Sequence, residues 1–161
     1  MAKTIKGSLW KLLKIPPKVI YALGLGPIYG RLVLLLTTTG RKSGLPRITP
    51  LQYEEIDGKI YIGSARGTKA DWYRNILADP NVHIRVGSRR FDGLGEAVSD
   101  QIRVADYLEY RFKKHPRMIG FIMSREGVSQ NPTRLELEKL AERKAMVVIT
   151  PKADLEMDRN P

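Results

Sequence analysis

The chain has no cysteine. Disulfides, thiolate metal centres and cysteine nucleophiles are therefore excluded, and the composition suits a reducing cytoplasm. Histidine is nearly as scarce. His83 and His115 are the only two, distant in sequence and without an acidic cluster near either. A zinc-type centre needs several His, Cys or carboxylate donors, so no metal site is expected. No Ser-His-acid constellation can be argued from the spacing. If the chain is an enzyme, a bound cofactor is expected to carry the chemistry. Long apolar runs are missing as well. The stretch 19–36 is broken by Gly24, Gly26, Pro27, Gly30 and Arg31, which makes a poor transmembrane helix. Residues 3–18 show no secretory pattern, so no targeting peptide is expected.

The most telling absence is acidic charge. Residues 1–53 contain nine Lys or Arg and no Asp or Glu; the first acid is Glu54. The remaining 108 residues are close to balance, with nineteen bases and seventeen acids, and the net charge is +11. An excess confined to one end points to an anionic partner: a polyanionic cofactor, a membrane face or nucleic acid. Nucleic acid ranks last. The bases lack interleaved exposed aromatics, and no nucleic-acid motif is present.

With 161 residues the chain reads as one domain. Its organisation is a basic amphipathic segment (1–30), a β-rich core (31–98), and helices with a final strand (99–161). Ser8–Ile15 reads as a helix with Lys11 and Lys14 on a basic face shared with Lys18, and Leu9, Trp10, Leu12 and Leu13 as apolar bulk. Such a helix serves equally to lie on an anionic membrane or to cap one end of a barrel. A second short helix covers Lys18–Leu23.

Strands are expected at Leu32–Thr39, Pro46–Glu54, Lys59–Ser64, Val82–Val86, Arg90–Val98 and Ala145–Thr150. The dipeptides Asp57-Gly58 and Gly87-Ser88 mark hairpins. Helices are expected at Lys69–Ala78, with Trp72/Ile76 and Tyr73/Leu77 paired, and at Gln101–Lys114, with Val104, Leu108 and Phe112 on one face. Another runs from the capping box Thr133-x-x-Glu136 to Arg143. Pro116–Asn131 shows no clear pattern. About six mostly antiparallel strands with inserted helices give an α+β, mainly β class: a small barrel or strongly curved sheet.

Two motifs carry chemistry. Gly40-Arg41-Lys42-Ser43-Gly44, with Arg47 just beyond, puts two glycines, cations and a hydroxyl in one turn after a buried strand. Convergent N–H groups and positive charge there would hold a phosphate. A solvated hairpin loop shows the same spacing, but the acid-free surroundings favour an anion. The second motif is Ser64–Trp72, where a strand end, a glycine loop and a helix start meet. A helix start offers free N–H groups, Arg66 and Lys69 add charge, and Trp72 offers a flat face. Taken alone, a core Trp72 and a solvated Arg66 explain it better. Gly24–Gly30 spaces its glycines as GxGxxxG and precedes a strand, so it is not a dinucleotide fingerprint.

The run Thr37–Gly44, followed by Pro46-Arg47-Ile48-Thr49-Pro50-Leu51, resembles the hallmark of the deazaflavin (F420)-dependent nitroreductase family. Trp72–Val82 resembles its second signature. The resemblance covers roughly residues 30–100 and implies a split β-barrel that binds coenzyme F420. That coenzyme is an 8-hydroxy-5-deazaflavin with a phosphodiester and a polyglutamate tail, whose negative charges would account for the basic half. By this resemblance Arg41, Lys42 and Ser43 hold the phosphate, with Arg47, Thr49 and Pro50 beside it. Ser64, Ala65 and Arg66 border the ring, and Asp71 and Trp72 close the site. The implied reaction is hydride transfer to an electrophilic acceptor such as a quinone or nitro compound. Arg66 would stabilise charge on the acceptor. FMN is the secondary cofactor. A non-catalytic lipid- or fatty-acid-binding member is the alternative function, and a homodimer is compatible with either. This chain departs from the nitroreductase pattern at Ala65-Arg66, where those members carry Ser-Lys. Tyr107 and Tyr110 are the only candidates for their acceptor-pocket tyrosines.

Overall fold

The computed structural model describes residues 33–157. The expected N-terminal helices, and the membrane contact read from them, lie outside the described residues.

Chain order is β1 (Val33–Thr39), β2 (Pro46–Gln52), β3 (Glu54–Ile56), β4 (Lys59–Ser64), a 3-10 turn (Gly67–Lys69), α1 (Asp71–Ala78), β5 (Asn81–Val86), β6 (Arg89–Val98), α2 (Gln101–Lys114), α3 (Pro116–Ser124), α4 (Arg134–Ala141), β7 (Ala145–Pro151) and α5 (Lys152–Met157). The seven strands form one sheet in the order β2-β1-β5-β6-β7-β4-β3. Every pairing is antiparallel.

That order forces closure. β2 and β3 lie at opposite edges, yet only Tyr53 separates them in the chain. At the usual strand spacing the edges of a flat seven-stranded sheet stand about 29 Å apart. Two Cα steps reach about 7.6 Å at most. The sheet must therefore curl until its edges meet, which gives a barrel split at Tyr53. The expected strand Pro46–Glu54 is broken at this point, where the chain steps from one edge to the other.

Buried Glu54 secures the step. Its carboxylate receives Lys114 Nζ at 2.9 Å and His115 Nε2 at 3.1 Å, and Arg111 Nε lies 3.6 Å away. The first acid in the chain thus ties the split of the barrel to the end of α2.

Two apolar clusters flank the sheet. Leu34, Leu36, Ile62, Ile84, Val147 and Ile149 build the first, and α1 adds Trp72, Tyr73 and Ile76. α2 and α4 cover the second, where Val104, Leu137 and Leu140 meet Met146 and Val148. β7 is buried on both faces from Ala145 to Ile149, so it reads as a continuous apolar run.

Gly95 of β6 lets α1 approach closely. A Cβ there would stand 3.0 Å from Ile76 Cγ2. The Asp57-Gly58 turn has φ of 49° and 75°, the paired left-handed conformation that tight hairpins use. The capping box at Thr133 and Glu136 forms as expected.

Three expectations change. Leu77 is 61% exposed. It lies one angular step beyond the arc of α1 that buries Asn75, Ile76, Trp72 and Tyr73. Proline at the first helical position starts α3 in the segment that showed no pattern. The strand count is seven, because the Tyr53 break makes two strands of one. Among the described residues no helix is long and apolar enough to cross a membrane.

Candidate functional site

A cleft of ≈ 730 Å³ opens between the β1–β2 turn, the exposed face of β2 and the start of α1. That volume lies in the range of pockets for cofactor-sized ligands.

The turn is locked by its own backbone. Gly40 N–H donates to Leu45 O at 2.8 Å, and Gly44 N–H and Ser43 N–H donate to Gly40 O at 2.7 and 3.2 Å. Leu45 N–H donates to Ser43 Oγ at 3.3 Å. Gly44 sits at φ 68°, where a side chain would be strained. Arg41 N–H donates to Asn75 Oδ1 at 3.2 Å. These five N–H groups are committed within the protein, and Lys42 N–H is not. The expected convergence of several backbone N–H groups on an anion is therefore reduced to one, with side chains around it.

Arg41 is committed too. Its guanidinium donates to Asn75 Oδ1 at 3.0 Å, to Asp71 Oδ1 at 2.9 Å and to Asp71 O at 3.3 Å. Asn75 is 4% exposed, and its Nδ2 donates to Thr38 Oγ1 at 3.1 Å. One buried amide thus joins the turn, helix α1 and strand β1. The hydrogen bond from Arg41, and then its charge, hold the Asp71 carboxyl below the usual carboxylate range; Arg66 and Arg74 add to this.

Two cations in the lining remain uncommitted. Lys42 and Arg47 are exposed and make no ion pair among the described residues. The walls beside them are Trp72, buried and packed edge-on against Tyr73 at 6.3 Å, and Ile48, 54% exposed. β2 is an edge strand that carries Pro46 and Pro50. Neither has an N–H, so the edge is a poor template for another strand.

Of the residues expected at the site, Arg41, Lys42, Ser43, Arg47, Thr49, Asp71 and Trp72 line this cleft. Pro50 follows on β2 but is not part of the lining. Ser64, Ala65 and Arg66 also lie outside it. The buried Ser64 hydroxyl donates to Gly67 O at 2.7 Å, and Ala65 O accepts from Lys144 Nζ at 2.9 Å. Exposed Arg66 precedes the 3-10 turn, and its charge reaches Asp71.

Sequence reasoning missed Asn75 and Ile48. Asn75 had a signal: a polar residue among Trp72, Tyr73 and Ile76 on a buried arc must find partners. Tyr107 and Tyr110 line a different cleft of ≈ 260 Å³ with Tyr61, Arg103 and Asp106. Tyr107 O–H donates to Tyr61 O at 3.3 Å, and burial pushes its phenol up to about 12. Among the described residues no group of three or more His, Cys, Asp or Glu could hold a metal.

The model of the F420H(2)-dependent quinone reductase family matches residues 24–118. The chain belongs to that family. The matched span contains every residue of the larger cleft. An F420H(2)-dependent quinone reductase of Mycobacterium tuberculosis is 45% identical over 62 aligned residues, covering 36% of this chain and 41% of the relative. The chain thus matches less than half the length of that relative. A solved F420-H2 dependent reductase is 22% identical, with a TM-score of 0.51 over 74% of this chain and 94% of that one. The heme storage protein of Vibrio cholerae is 14% identical, with a TM-score of 0.50 over 85% and 89%. These likenesses establish the split-barrel fold. Because one such neighbour is described as storing heme, the fold alone does not choose a ligand.

Proposed function

We propose that this chain is a reductase that holds coenzyme F420 in the larger cleft and passes its hydride to a quinone-type acceptor. The observation that carries the reading is the pair of uncommitted cations, Lys42 and Arg47, beside the Trp72 wall within the family-matched span. The donor set fits the coenzyme: free positive charge for its phosphodiester and an aromatic and aliphatic wall for its ring.

The bound coenzyme supplies the hydride. The protein supplies charge, orientation and exclusion of water. Lys42 and Arg47 neutralise the phosphodiester. Ser43 Oγ accepts from Leu45 and keeps its own proton to donate. Trp72 and Ile48 would support the ring, and Thr49, followed on β2 by Pro50, would lie beside the phosphate. Arg66, on the α1 side, is the cation assigned to charge developing on the acceptor. Arg41 has another role. It fastens the turn that presents Lys42 and Ser43 to helix α1 through Asn75 and Asp71, so it is a positioning residue.

An anaerobic assay with reduced coenzyme F420 and a soluble naphthoquinone tests the reaction. Protein-dependent reoxidation of the coenzyme is expected. Lys42→Ala with Arg47→Ala should raise KM for the coenzyme about tenfold or more, a loss of two exposed charge contacts. Equal turnover with FMN, or no turnover with a coenzyme that demonstrably binds, would overturn the assignment.

A further inference from the structure

We propose that helix α3 is a docking face for an anionic lipid bilayer. α3 runs Pro116–Ser124 and buries Ile119 and Met123 against the α2 side of the molecule. Three more large apolar side chains remain in solvent: Met118 at 40%, Phe121 at 58% and Ile122 at 44% exposure. At 100° per residue these three fall within a single arc of about 100°. With Ile119 and Met123 the apolar arc of α3 spans about 200°, twice the stripe a surface helix ordinarily buries. Half of that arc is open to solvent.

The charge around it names the occupant. From Tyr110 to Arg125 the chain has five Arg or Lys and no Asp or Glu. Lys113 is engaged by Glu109, and Lys114 and Arg111 by Glu54. Arg117 and Arg125 are exposed and make no ion pair among the described residues. The Arg125 guanidinium lies 4.8 Å from the centre of the Phe121 ring, so cation and apolar surface form one patch.

A second copy of the chain is a poor occupant. A two-fold contact through this face would set Arg117 and Arg125 against the same residues of the copy. Nucleic acid would use the cations and gain nothing from exposed Phe, Ile and Met. A bilayer with anionic headgroups uses both. The apolar arc enters the boundary below the headgroups while the guanidinium groups stay at phosphate level. The inference rests on exposure and charge, not on the redox reading. If the proposed function also holds, docking would bring the chain to the phase where lipid-soluble quinones partition.

Vesicle binding without coenzyme or quinone tests it. The full chain is mixed with vesicles of phosphatidylcholine, alone or with phosphatidylglycerol. A Phe121→Trp, Trp10→Phe variant should show blue-shifted emission with the anionic vesicles only. Arg117→Gln with Arg125→Gln should weaken partitioning about twenty-fold, and Phe121→Ser with Ile122→Ser about tenfold. Both double variants alter exposed positions and should keep the native circular dichroism. The proposal is overturned if these folded variants bind anionic vesicles like the unaltered chain. It is also overturned if Phe121→Ser with Ile122→Ser instead abolishes a dimer seen by sedimentation, because a second copy would then cover the face.

Discussion

Asn75 organises the cleft without being free to touch much in it. Its amide accepts from both the N–H and the guanidinium of Arg41 and donates to Thr38. Asn75→Ala leaves the buried Thr38 hydroxyl and the Arg41 N–H without partners. A loss of about 2 kcal/mol in chemical denaturation is expected, together with weaker coenzyme binding. Lys42→Ala should separate the two effects. It touches no buried group, so stability should stay within about 0.5 kcal/mol while coenzyme affinity falls. Asp71 adds a pH dependence. Its pKa is lowered in the fold from the ordinary 3.8. Its contribution is therefore present above that value and lost as pH falls through the folded value. Asp71→Asn should flatten this part of an acid-stability curve. That Arg41, Lys42 and Asp71 come together was legible in sequence, and they line one cleft. Which of them is committed within the protein was not. Which cation is committed depends on Asn75, thirty-four residues away in the chain and brought beside the turn by the fold.

At the scale of elements, α1 is a wall whose position β6 sets. Gly95 leaves 3.0 Å between an added Cβ and Ile76 Cγ2, and 3.4 Å to Val147 Cγ1. Gly95→Val must push α1 outward, carrying Trp72 and Asn75 with it. It should cost about 2 kcal/mol as overpacking and weaken the coenzyme even though residue 95 never meets it. α2 carries an alkaline signature. Tyr107 is buried with its phenol raised to about 12 from 10.0. The folded chain thus holds a proton between those values that the unfolded chain gives up, so stability is complete below pH 10 and declines toward 12. The decline should be on the order of 2 kcal/mol and absent in Tyr107→Phe. Most elements were legible from periodicity, hairpin dipeptides and the capping box. α3 was not, because its apolar residues spread over about 200° of the helix, too wide for the narrow stripe that marks an amphipathic helix.

At the scale of the molecule, closure follows from strand order. The chain steps from one edge of the sheet to the other across Tyr53, and Glu54 receives Lys114 and His115 from the end of α2, with Arg111 close by. Sequence suggested a curved sheet of hairpins but not which edges meet. Pairing partners far apart in the chain leave no local trace. The basic excess of residues 1–53 was visible at once, and its cations among the described residues now divide. Arg41 is tied to Asn75 and Asp71, while Lys42 and Arg47 are free in the cleft; outside that excess, a separate acid-free run lies along the end of α2 and α3. The central claim concerns the free pair: the Lys42–Arg47 cleft holds a deazaflavin coenzyme against Trp72. Its most direct test is a titration of the Trp10→Phe variant with coenzyme F420, in which Trp72 is the one remaining tryptophan. Saturable quenching at micromolar coenzyme, weakened in Lys42→Ala with Arg47→Ala, is the predicted result. An emission that coenzyme F420 leaves unchanged, or quenching indifferent to both substitutions, would contradict it.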